Sequence, residues 1–285
     1  MRWDYGQVYK MIRKSKGLTQ NDVCGEIISR STLAKIESGK VIPNFDNMVF
    51  LLEQIDMSLS EFKYICNEFK PDQRERIITT IQSQNSTIEV QDLLPLLKDC
   101  ENFLKTHHDV PIQNLYRSLQ VITEIRIKGL KSNDYLHGLA TSIWKHLEPM
   151  DSWYGNDLRL LAIILFYFDM ETLPHITKRI LENLERYKNF HDIKSFQLSL
   201  LGNLSTIYFK NHHFKQCESI TLKSLEIAQE LKRFDALGFS QVRLGICQND
   251  DELISKGMTL LKLTGENQLV TTLEEEIEEY NHFNT

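Results

Sequence analysis

Between Ser29 and Lys40 the chain reads "SRSTLAKIESGK", a short helical segment whose polar face carries Arg30, Ser31, Thr32 and Lys35, with Lys40 just beyond it and Gln20 ten residues earlier. These side chains are rich in hydrogen-bond donors. An arginine fork can span two adjacent acceptors, a lysine brings a compact positive charge, and hydroxyls and amides both donate and accept. Such a set suits the surface of an acidic polymer better than a reaction centre.

The formal net charge of −6 looks unfavourable for that role, but charge is not spread evenly. Residues 1–40 hold eight basic side chains against four acidic ones, whereas the last twenty residues hold six acids and no Lys or Arg. The field around the first segment can therefore be positive, and binding to a polyanion should weaken steeply with salt.

No other constellation points to chemistry. A glycine-rich phosphate loop, a serine elbow and a Glu-flanked His pair are all missing from the helical segments. His107-His108 and His212-His213 are adjacent pairs in loops, where successive side chains diverge, so they lack the spacing of helical metal ligands. Cys24, Cys66, Cys100, Cys217 and Cys247 form no CxxC pattern, and no metal or other cofactor is expected. They read as reduced, buried, small apolar residues. The other reading, a thiol that links subunits or senses oxidation, would need exposure, and Cys24 is the candidate for it. A catalytic role is not expected of any residue.

The elements that position these residues are helical. Val8, Ile12 and Tyr5 share a face of a first helix that Gly17 ends. Thr19, three residues before Asp22, forms a capping arrangement for a second. Ser29 caps a third, and Met48, Leu51, Leu52 and Ile55, then Leu59, Phe62 and Ile65, give two more. Five short helices make a compact bundle over 1–66. A polar stretch with Pro71 forms a linker over 67–75. From 76 to 285 the helical period continues without a strand pattern. Residues 196–209, "NHHF" and 214–232 together have the length of one tetratricopeptide unit. The fold class expected is all-α, with a superhelical array of such hairpins after the bundle. No apolar run is long enough to cross a membrane, and no secretory signal opens the chain, so a cytoplasmic protein is expected.

Arg13, Gly17-Leu18-Thr19-Gln20, Val23, Ser29, Leu33, Ile36-Glu37, Gly39-Lys40, Pro43, Leu51 and Leu59 keep the register of the lambda-repressor-like helix-turn-helix domain shared by phage repressors and many bacterial regulators. The first 66 residues resemble that domain. Two departures are Ile-Ile-Ser where the turn usually reads Gly-Val-Ser, and Cys24 where alanine is usual. The resemblance implies that Arg30, Ser31 and Lys35 face double-stranded DNA while Leu33 and Ile36 face the bundle. Arg30 can bridge O6 and N7 of a guanine. Gln20, Thr32 and Lys40 are candidates for phosphate contacts. Arg13 and Glu37 match an internal salt bridge of this family.

"WYGNDLRLLAIILFYFDMETLPHITKRILENLERYKN" and "SLLGNLSTIYFKNHHFKQCESI" resemble the Rgg family of Gram-positive regulators. That resemblance implies a homodimer, an inverted-repeat operator, and a repeat domain that binds a re-imported peptide pheromone, as in quorum sensing. For the peptide, Arg159 could clamp a carboxylate, although pairing with Asp157 or Glu182 is the competing reading. Asn203 could serve backbone amides or make a buried hydrogen bond within the repeat. Tyr208 could line an apolar pocket or belong to the core. An alternative function is a helix-turn-helix adaptor or antitoxin-like regulator whose repeats grip a protein instead.

Overall fold

A computed structural model describes residues 4–82, 90–128, 134–190 and 193–284. Among the described residues the chain is built of α-helices and one short 3-10 turn, without strands. It divides into two compact units, one formed by Met1–Thr87 with Lys105–His107, the other by Ile88–Leu104 with His108–Thr285.

The first unit contains α1 (Tyr5–Ser15), α2 (Gln20–Cys24), α3 (Arg30–Glu37), α4 (Phe45–Gln54), α5 (Leu59–Cys66) and α6 (Gln73–Gln82). Local signals set most of these boundaries. Asp4, Thr19, Ser29, Asn44 and Ser58 each accept a hydrogen bond from a backbone N–H in the first turn of α1 to α5 respectively, which satisfies donors that the helix itself leaves open. Thr19 and Asp22 form a reciprocal capping box. Gly17 takes the left-handed φ of +73° that stops α1. The apolar stripes of α1 to α5 meet in a core of Tyr9, Ile12, Val23, Leu33, Ile36, Leu51, Leu52, Ile55 and Phe62.

One contact in this core is unusually close. A Cβ added to Gly6 would stand 1.8 Å from the carbonyl oxygen of Ile36, so α1 reaches the end of α3 backbone to backbone. The position of α3 thus depends on a residue without a side chain. Helix α6, expected to open the repeat array, is grouped with the first unit instead.

The second unit runs α7 (Val90–Leu104), α8 (Val110–Lys128), α9 (Asp134–Leu147), α10 (Gly155–Ile163), α11 (Leu173–Glu185), α12 (Lys194–Lys210), α13 (Phe214–Leu231), α14 (Phe234–Gln248), α15 (Asp251–Leu263) and α16 (Asn267–Asn284). The expected hairpin is present as α12 and α13, and α14 with α15 forms the next. Direct contact also runs from α10 to α12, from α12 to α14 and from α14 to α16. In a stack of hairpins, the layer whose successive helices touch is the tighter, inner one. The unit's core includes Trp153, Leu158, Leu161, Leu200, Leu204, Val242, Leu261 and Leu273. Gly257 lets α15 approach α14 closely, because a Cβ there would lie 2.6 Å from the Gly238 carbonyl oxygen. No helix of the described residues is long and apolar enough to cross a membrane.

Candidate nucleic-acid interface and ligand face

Helix α3 separates its two faces sharply. Leu33 and Ile36 are 0% and 1% exposed, whereas Arg30, Ser31, Lys35 and Lys40 all lie open and Thr32 is half-buried. At its N-terminus the Ser29 Oγ accepts from the Thr32 N–H at 3.1 Å and meets the hydroxyls of Ser31 at 3.0 Å and Thr32 at 2.9 Å. This cluster holds the first turn of α3 in place, with Arg30 as its first residue. The N-terminal end of such a helix is the part that reaches base edges in a major groove.

Arg13 and Glu37 anchor α3 from beneath. Arg13 Nε donates to Glu37 Oε1 at 2.6 Å and Nη2 to Oε2 at 2.9 Å, a bidentate pair with both residues nearly sealed from solvent. Burial pushes the Glu37 carboxyl up, but hydrogen bonds from Arg13 and Gln20 and the Arg13 charge outweigh it, so the net shift is downward. The hydrogen bond to Glu37 correspondingly raises Arg13 above its ordinary value.

Two sequence expectations change here. Gln20, read as a phosphate contact, turns its Nε2 inward to Glu37 Oε2 at 2.8 Å. A buried carboxylate needs more donors than one guanidinium fork supplies, and Gln20 provides the next. Cys24, the candidate for an exposed thiol, is 6% exposed and lies in the bundle core beside Val23. Burial raises its pKa, which makes it a poor nucleophile.

In the second unit Arg159 of α10 is exposed, and its guanidinium lies 4.7 Å from the centre of the Phe196 ring on α12. It forms no ion pair with Asp157 or Glu182; Asp157 instead accepts from the Tyr154 N–H at 2.9 Å, at the start of α10. Desolvation by neighbouring protein atoms lowers the Arg159 pKa below its ordinary value. Asn203 is exposed seven residues beyond Phe196, two helical turns along the same face of α12, a distance of about 10 Å. Its side chain does not make the buried hydrogen bond considered from sequence.

Tyr208 is corrected to a core position. It is 1% exposed, and its hydroxyl and that of Thr177 on α11 lie 2.8 Å apart. It continues the buried stripe of Leu201 and Leu204, spaced three and four residues apart, that packs α12 into the stack. Its hydroxyl is already satisfied there.

A further polar group was not foreseen from sequence. Arg243 of α14 is fully buried, its guanidinium over the rings of Phe239 and Phe209 at 4.2 and 5.3 Å from their centres. It pairs with Glu276 of α16 and donates from Nη1 to Ser205 Oγ at 3.0 Å and Thr206 Oγ1 at 2.6 Å on α12. One guanidinium therefore ties together three successive helices of the inner layer. The available signal was a lone arginine inside "FSQVRLGIC"; its acidic partner among the five glutamates of α16 was not legible. No group of His, Cys, Asp and Glu among the described residues could hold a metal ion.

A bundle with one polar, outward-facing helix, followed by a stack of helical hairpins, defines a helix-turn-helix regulator with a helical-repeat domain. Residues 10–62 match the helix-turn-helix family profile. Residues 101–234 match the profile of the HTH-type transcriptional regulator Rgg, C-terminal domain. The chain thus joins a helix-turn-helix domain to a C-terminal domain of the kind found in Rgg transcription regulators.

Solved structures agree on the fold. A Listeria monocytogenes EGD-e protein assigned as a transcriptional regulator aligns over 100% of this chain and 99% of its own, at 17% identity and a TM-score of 0.75. The Streptococcus dysgalactiae SHP pheromone receptor Rgg2 aligns over 96% of this chain and 99% of its own, at 15% identity and a TM-score of 0.67. ComR from S. thermophilus, solved with DNA and its signalling peptide ComS, aligns over 97% of this chain and 99% of its own, at 13% identity and a TM-score of 0.66.

Proposed function

We propose that this regulator works as a cytoplasmic homodimer that reads an inverted-repeat operator through α3 and is controlled by a short peptide bound on the inner layer of its repeat unit. Arg30, Ser31 and Lys35 contact bases, with Thr32 and Lys40 on phosphates. Two copies related by a two-fold axis read half-sites about one helical turn apart, ~34 Å, or a multiple of it. Gln20 contributes indirectly, by holding Glu37 and so the angle of α3.

The peptide half of this reading rests on Arg159. An open guanidinium that lies over the Phe196 ring, with no carboxylate partner among the described residues, is set to receive an anion from outside the chain. Asn203 lies about 10 Å along α12, the span of about three residues of extended peptide. An amide there can both donate to and accept from a peptide backbone while Arg159 clamps the terminal carboxylate. That one neighbour is a pheromone receptor and another was solved with its signalling peptide supports a peptide ligand.

Calorimetric titration with a library of short hydrophobic peptides, each made with a free and an amidated C-terminus, tests the proposal. A free-acid peptide should bind at least tenfold more tightly than its amide, a difference of ~1.4 kcal/mol. Arg159→Ala should abolish that preference. Equal binding by wild type and Arg159→Ala would contradict it, and co-purification of a folded protein in place of peptide binding would favour an adaptor.

A further inference from the structure

The hairpin of α13 and α14 brings two cysteines together. Its register is fixed by Ser240 Oγ, which donates to Ser224 Oγ at 3.2 Å, and by Gln248 Nε2, which donates to Glu218 Oε1 at 2.7 Å. Seven residues back from Ser224 is Cys217, and seven residues on from Ser240 is Cys247. Seven residues are two helical turns, so in an antiparallel pair both steps stay on the facing sides and move the same way along the hairpin. The two cysteines therefore face each other across the hairpin. All five cysteines are free.

The two sulfurs differ in access. Cys217 is 0% exposed and belongs to the core, while Cys247 is half-buried at its edge. Thr221 Oγ1 lies 3.8 Å from the Cys217 Sγ, and Arg243 stands one turn before Cys247 on α14. The hydrogen bond from Cys247 holds the Cys217 thiol below its ordinary value against the opposing effect of burial, and Arg243 and Thr221 act in the same direction. This pair therefore has what Cys24 lacks: a partner sulfur and an approach from solvent.

We propose that Cys217 and Cys247 form a redox-sensitive dithiol, which hydroperoxides convert to an intramolecular disulfide across the α13–α14 hairpin. Peroxide approaches from the side of Cys247. Cys217, held below its ordinary value, takes the Cys247 proton as the Cys247 sulfur attacks one peroxide oxygen. The O–O bond breaks, and the departing hydroxide takes up a proton to become water. A sulfenic acid remains on Cys247. The Cys217 sulfur then attacks that sulfur, the S–O bond breaks, and the hydroxyl leaves as a second water with the last thiol proton. Two thiols and one hydrogen peroxide give one disulfide and two waters, the sulfurs losing the two electrons that the peroxide gains. A disulfide of this kind in a reducing compartment is transient and regulatory, and it would lock the hairpin beside the buried Arg243.

The test exposes the full-length protein to hydrogen peroxide, blocks remaining thiols with N-ethylmaleimide in denaturant, and maps tryptic peptides without reduction. Residues 216–223 and 244–256 are separate tryptic peptides, each with one of the two cysteines. They should appear covalently joined in a protein that still migrates as a monomer, and dithiothreitol should separate them. Maleimide on both Cys217 and Cys247 after peroxide would overturn the proposal, as would links through Cys24, Cys66 or Cys100 alone. Overoxidation of Cys247 with Cys217 unreacted would also overturn it. Because Cys217→Ser could disturb the core, the control is Cys247→Ala at the half-buried position. In that variant Cys217 should keep a free thiol under the same treatment, and Cys24→Ser should link as wild type does.

Discussion

Arg243 of α14 and Glu276 of α16 form an ion pair in which each side chain is only 1% exposed. Burying two charges is costly unless each is paired and further hydrogen-bonded. Ser205 and Thr206 complete the guanidinium's bonding, so the group binds α12, α14 and α16 into one block. Thr206 sits one turn beyond Asn203 on α12, which connects this block to the face assigned to peptide.

Removing one partner should be far worse than removing both. Glu276→Ala leaves a buried unpaired arginine and should cost the repeat unit ~3–5 kcal/mol. The double variant Arg243→Met with Glu276→Leu should recover most of that loss. Urea unfolding followed by circular dichroism measures both, and equal losses in the single and double variants would show that the pair contributes only through packing.

The stability of the first unit should depend on pH through Glu37. Its carboxyl lies below the ordinary value of 4.5 in the folded state. The folded state therefore binds the proton less tightly than the unfolded chain does. The stabilisation is fully present above the ordinary carboxylate range and is lost as pH falls through the lowered folded value. Glu37→Gln should flatten this acid limb while lowering stability at neutral pH. Unfolding midpoints from pH 7 down to pH 3 provide the check.

Gly6→Ala should displace α3, because its Cβ would overlap the Ile36 carbonyl. Loss of DNA binding with a lower melting temperature is the expected outcome. Gly138→Ala, in α9 where an added Cβ meets nothing within 4 Å, is the control. It should be neutral or stabilising by ~0.5–1 kcal/mol. Unchanged DNA binding in Gly6→Ala would contradict the close packing of α1 on α3.

Lys40→Ala should weaken binding to all DNA sequences alike and reduce the slope of log K against log salt by about 1. Filter binding at several salt concentrations reads both. A sequence-dependent loss would place Lys40 on a base instead.

The first unit was largely legible because its signals are local. Caps at Thr19 and Ser29, the left-handed Gly17 and the inward Leu33 and Ile36 all follow from residues within one or two turns. The errors arose where a side chain's role depends on what covers it. Helical period alone places Tyr208 on the stripe of Leu201 and Leu204 and Asn203 off it, as observed, but says nothing of Thr177 waiting for the tyrosine hydroxyl. Gln20 and Glu37 are seventeen residues apart and Arg243 and Glu276 thirty-three, so neither contact leaves a pattern in the sequence. Cys24 replaces a small core residue and behaves as one. The pairing of Cys217 with Cys247 needed the hairpin register, which appears only once α13 and α14 have been placed.

The central claim is that this chain reads DNA sequence through α3. In vitro selection from random duplex DNA at low salt, with wild type and Arg30→Ala side by side, tests it most directly. Wild type should enrich an inverted repeat, with a guanine in each half-site whose preference falls by ~1–3 kcal/mol in the variant. No enrichment by wild type, or the same enriched site at the same strength from Arg30→Ala, would contradict it.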